Sequence, residues 1–132
     1  MRKADVAVDV AGIVSEALSL RVGSSATSTY KEIELLAKAN GDETMRRYAV
    51  LHGDLSFWKV SRGAERINAI CAKYIDPYRD VSAELYKKIC TESEQDLIKA
   101  SNHVRDARER VKQHEQKYDL SYSQLMDYDT EN

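Results

Sequence analysis

One stripe of residues constrains what this chain can fold into. From Tyr86 onward, Cys90, Ser93, Leu97, Ala100, Val104, Ala107, Val111, His114 and Tyr118 recur at alternating steps of four and three. That spacing keeps every member on one face of an α-helix, so the stretch reads as a long helix with a single contact seam. Most seam residues beyond residue 95 are small, which predicts close approach of another helix. A helix of that length does not stand alone in a small domain; it pairs or protrudes.

The rest of the chain has to supply its partners. One proline and five glycines in 132 residues are too few for a turn-rich β-sandwich or barrel, and the 42% hydrophobic content is that of a globular domain. Asp76-Pro77 is the strongest punctuation: the residue before proline resists helical geometry, while proline suits the first helical position. The expected fold is therefore all-α, with about five helices. Its C-terminal part is an antiparallel hairpin turning at Asp76-Pro77, and the N-terminal helices pack against it. Residues 1–118 form one domain, and 119–132 form a short helical turn followed by an acidic frayed tail.

Smaller signals divide the chain further. Residues 4–20 predict a helix whose stripe of Val6, Val10, Ile13, Ala17 and Leu20, widened by Val14 and Leu18, faces the core. Gly23-Ser24-Ser25 predicts its end. Thr29 with Glu32 reads as a capping box opening a second helix, which Asn40-Gly41 stops; Asp42 caps a third. Gly53-Asp54 weakens that helix. Thr91 with Glu94 makes a second capping box, which leaves open whether the long helix breaks at 91–93 or runs on for about 40 residues, and Ser121 with Gln124 predicts a terminal turn holding Leu125 and Met126.

Charge and motif content narrow the function. Residues 1–76 carry 11 basic and 10 acidic side chains, and residues 77–132 carry 9 and 12, so neither half implies nucleic acid by charge alone. Cys71 and Cys90 do not make a disulfide scaffold, and Asp5, Asp9 and Glu16 interrupt the N-terminal apolar run. The expectation is a cytoplasmic protein with no membrane association. His103 and His114 lie three turns apart on one helix, too far to share an ion, and no phosphate loop or nucleophile elbow occurs. No catalytic residue, cofactor or metal is expected.

What remains is a non-enzymatic interaction or assembly protein acting through helical surfaces: a homo-oligomer, by default a dimer, or the binder of an unknown protein partner. The expected partner-binding residues are Leu97, Val104, Ala107 and Val111 on the seam, with the adjacent aromatics Phe57 and Trp58. The alternative is a DNA-binding regulator or packaging-type adaptor. Ala37 and Gly41 have the four-residue offset of a helix-turn-helix, which residues 29–52 resemble. That resemblance implies Arg46 and Arg47 as nucleic-acid contacts, and Arg105, Arg108 and Lys112 form a basic stripe on the long helix. Arg47 and His52 are also similar to the Arg-x4-His motif of HEPN ribonucleases, which implies a histidine acting on the ribose hydroxyl with arginine holding phosphate charge.

Overall fold

The computed structural model describes residues 3–72 and 83–131. All of the secondary structure in them is helical: α1 (Lys3–Ala39), α2 (Glu43–Ala72), α3 (Ala83–Tyr118) and α4 (Tyr122–Glu131). The all-α fold is as the sequence predicts, and the described helices run longer than expected. Asp76-Pro77 lies outside the described residues.

Each helix end at the two described turns follows from local chemistry. Gly41 takes φ +71°, a left-handed conformation that glycine adopts without a Cβ clash, and the Asp42 amide then reaches back to the Ala37 carbonyl at 2.9 Å. Asp42 turns from stop to start: its Oδ1 accepts the Met45 amide at 3.1 Å and caps α2. At the far end Asp119 takes φ 52°, and the Leu120 amide donates to the Glu115 carbonyl. Ser121 and Gln124 then form the expected reciprocal cap, with the Ser121 amide 2.7 Å from Gln124 Oε1.

Facing residues fix the directions of the helices. Across α1 and α2, position 12 meets Ile70, Leu20 meets position 63, position 23 meets Val60 and Thr27 meets Ser56. As one number rises the other falls, so the pair is antiparallel along its whole length. Thr44 with His114, Tyr48 with Glu115, Trp58 with His103 and Ala72 with Cys90 give the same result for α2 and α3. Helix α2 is thus central. Among the described residues no Cα of α1 comes within 8 Å of one on α3, so the two flank α2 and leave a groove between them.

The expected stop at 23–25 is absent, and the helices run on through both weaker signals, at Gly53 and at 91–93. Helix α1 continues through residues 23–25, where Gly23 serves a helix contact instead of a stop. A Cβ at position 23 would lie 2.5 Å from Val60 Cγ2, so only glycine lets α2 approach there. Ser56 of α2 donates to the Gly23 carbonyl at 3.0 Å, and Thr27 Oγ1 lies 2.8 Å from Ser56 Oγ. Helix α2 runs unbroken past Gly53, and α3 runs unbroken through 91–93, where the Thr91 hydroxyl donates to the Lys87 carbonyl within the helix.

The core also differs from expectation in which seam it uses. Val104, Ala107 and Val111 are 1%, 2% and 5% exposed and pack in one cluster with Tyr48 and Leu55 of α2 and Ile33 and Ala37 of α1. Their small size has a mate inside the chain: the large ring of Tyr48, itself fully buried, occupies the space they leave. The expected assembly surface on α3 is therefore core. On α1 the reverse holds, for Val10, Val14 and Leu18, expected inside, are exposed. Leu125 is fully buried, so α4 docks by the residue predicted to dock it.

Candidate functional site

A groove along α2 has a volume of about 990 Å³. Its two ends differ in chemistry. Near the closed end of the bundle, His52 sits among Tyr30, Tyr48 and Tyr122 at ring-centroid distances of 5.5, 4.8 and 5.1 Å. The Tyr30 and Tyr122 hydroxyls are 2.8 Å apart, tying α1 to α4. Burial first, and then the Tyr122 hydroxyl, raise the Tyr30 phenol well above its ordinary range; burial and the bond to Glu115 do the same for Tyr48. Both phenols stay neutral; Tyr30 lines the groove, while Tyr48 packs in the core beneath His52.

His52 is the strained member of this end. Its Nε2 is buried without a hydrogen-bond partner. Burial pushes its proton affinity below that of an ordinary histidine, with Glu115 opposing and Lys59 reinforcing the shift. The linkage sign follows: on acidification through about pH 6.5 the unfolded chain takes up the proton before the folded one does. Stability is expected to fall as pH drops below that value, and to level off below the folded-state pKa. Urea midpoints at neutral and mildly acid pH check this, with a smaller drop expected for His52→Phe. Equal drops in the two proteins would assign the effect to other groups.

The other end of the groove is basic. Lys59, Arg62 and Arg66 recur on α2 at steps of three and four, so one helical face carries all three, and Arg108 joins them from α3. Arg66 Nη1 donates to Glu16 Oε1 of α1 at 2.9 Å. Arg62 Nε is buried with no partner. Burial lowers the proton affinity of Lys59, and Arg108 and Arg62 lower it further; Arg62 is depressed by burial, then by Arg66 and Arg108. Of these four basic groups only Arg108 belongs to the stripe singled out from sequence. The repeat of Lys59, Arg62 and Arg66 was present as a signal, but their convergence on Arg108 is long-range and invisible locally.

The remaining predicted residues scatter. Phe57 is exposed and meets the Trp58 ring edge at 5.0 Å, while Trp58 stacks on His103 at 4.0 Å and 11°. Leu97 lines a separate apolar hollow with Ile70 and Cys90, which carries a free thiol. Arg46 Nε donates to Glu43 at 2.7 Å, and Arg105 lies 3.7 Å from Asp106. Arg47 lines a shallow hollow on the far side of α2 with Arg110 and Lys117, whereas His52 faces the groove. Lys112 is exposed.

Two expected arrangements are thereby replaced. Residues 29–52 form the tip of an antiparallel hairpin, not helices crossing at about 90–120° as in a helix-turn-helix. Arg47 and His52 diverge around α2 because five helical residues turn through about 500°. Among the described residues no group of three or more His, Cys, Asp or Glu side chains is placed to hold a metal ion, and no helix is long and apolar enough to cross a membrane. Comparison with protein-family models, curated proteins and solved structures gives no match.

Proposed function

We propose that the chain is a non-enzymatic helical assembly protein that pairs with a second copy of itself through an exposed apolar ridge of α1, whose Leu18 also borders the groove. The observation that carries this reading is the ridge Val10, Val14 and Leu18, which are 54%, 53% and 61% exposed at successive four-residue steps. Between Val10 and Leu20 the only charged residue is Glu16, and it turns inward to Arg66. The outer face of α3 makes the contrast: Arg105, Asp106, Glu109, Arg110 and Lys112 are all exposed there, as a solvated helix requires. A three-turn apolar face without charge stays soluble by being covered.

An uncharged ridge offers nothing to a charged partner, and a copy of itself is complementary to it. Rows spaced by four residues interdigitate when two such helices cross, and a two-fold axis makes the contact mutual. The test is a half-filtered NMR experiment on mixed labelled and unlabelled protein. Methyl contacts between copies are expected from Val10, Val14 and Leu18. Their absence at millimolar concentration, or contacts confined to other residues, would overturn the proposal.

A further inference from the structure

The basic end of the groove holds more positive charge than the chain neutralises. Among the described residues Glu16 is the only acidic one on the groove wall, and Arg66 already engages it. Lys59, Arg62 and Arg108 are left facing a cavity, with the Arg62 Nε buried and unpartnered. Gathering like charges around low-dielectric walls is unfavourable for the empty protein and concentrates anions from solution.

The donor set selects the anion. Two guanidinium forks and an ammonium offer more N–H groups than one carboxylate can accept, whereas a phosphoryl group has three acceptor oxygens and up to two negative charges. The opposite end of the same groove supplies a ring platform, for Tyr122 lines it and is 46% exposed. His52, beside Tyr122, and Arg62 are ten residues apart on α2, about 15 Å at the helical rise. The cavity volume lies at the upper end of the range for small-molecule sites.

We propose that this groove binds a small phosphorylated ligand of the nucleotide class, with its phosphoryl groups held by Lys59, Arg62 and Arg108 and its ring against Tyr122. Leu18 of the α1 ridge borders the groove, but the residues assigned to the ligand lie on α2, α3 and α4, so the proposal does not require the assembly reading. Arg46 is paired with Glu43, Arg105 lies beside Asp106, and the other basic hollow, of Arg47, Arg110 and Lys117, lies on the far side of α2, which argues for a compact ligand over a long polyanion.

Isothermal titration of the full-length chain at low ionic strength, with ATP and with pyrophosphate as probes, tests this directly. Both should bind, ATP more tightly. The Lys59→Gln/Arg62→Gln variant, checked for helicity by circular dichroism, should lose at least about tenfold in affinity for each probe, because a hydrogen bond to a charged group is worth that much. Arg46→Gln should bind as the parent does. Tyr122→Ala should weaken ATP severalfold and leave pyrophosphate unchanged. No heat with either probe at millimolar concentration would overturn the proposal, as would equal binding by the folded double variant. Binding of a long single-stranded oligonucleotide without ATP binding would overturn it too. Equal affinity for ATP and pyrophosphate would remove the ring from the assignment.

Discussion

Replacing Tyr48 by alanine is expected to cost about 3–5 kcal/mol of stability, the range for emptying a large aromatic site, and to lower Tm by roughly 10–20 °C. Tyr48 is fully buried, and its ring is the largest body against which the small residues of α3 pack. His52 meets its edge and His114 stacks on it at 5.7 Å, so its loss removes contacts on both sides of α2. The hydroxyl contributes separately by donating to Glu115. Tyr48→Phe keeps the volume and leaves a carboxylate that is partly open to water, so about 1 kcal/mol is expected there. Thermal melts of the two variants separate packing from hydrogen bonding; equal melting points would contradict this division.

Val104→Glu should have an effect as large, and it discriminates more sharply. Val104 is 1% exposed, between the large side chains of α2. A carboxylate placed there is buried without a partner and costs several kcal/mol, against a total stability of roughly 5–15 kcal/mol for a domain. The variant is expected to lose most of its helical circular dichroism at room temperature. Were the α3 seam a free surface instead, the same substitution would shift stability by no more than about 0.5 kcal/mol. A cooperative melt close to that of the parent would therefore contradict the core assignment.

That seam shows what a sequence can and cannot convey. The periodicity of Ala100, Val104, Ala107 and Val111 correctly predicts one buried face. It does not say what buries it, because the mate, Tyr48, lies more than fifty residues away. Caps were legible where a side chain answers a backbone group three residues on, as at Asp42 and at Ser121 with Gln124. Gly23-Ser24-Ser25 misleads for the same reason: local chemistry marks a stop, while the demand of Val60 and Ser56 for close approach comes from another helix.

The candidate site was the less legible part. Arg108 stands out within a basic stripe, yet its significance depends on Lys59 and Arg62, which converge with it only once α2 and α3 are antiparallel. The apolar stripe of α1 was visible as a stripe. Its direction was not, since Val10, Val14 and Leu18 resemble core residues in every local respect.

The α3 seam is core, and the proposed pairing sets the α1 ridge between two copies. Light scattering coupled to size exclusion, run over a concentration series on the parent chain and on Leu18→Glu, distinguishes a pair from a single chain. The parent should approach twice its chain mass of 15.0 kDa as concentration rises, and Leu18→Glu should remain at 15.0 kDa with its helicity intact. A parent chain that stays at the single-chain mass into the high micromolar range, or a Leu18→Glu variant that doubles as the parent does, would contradict the account.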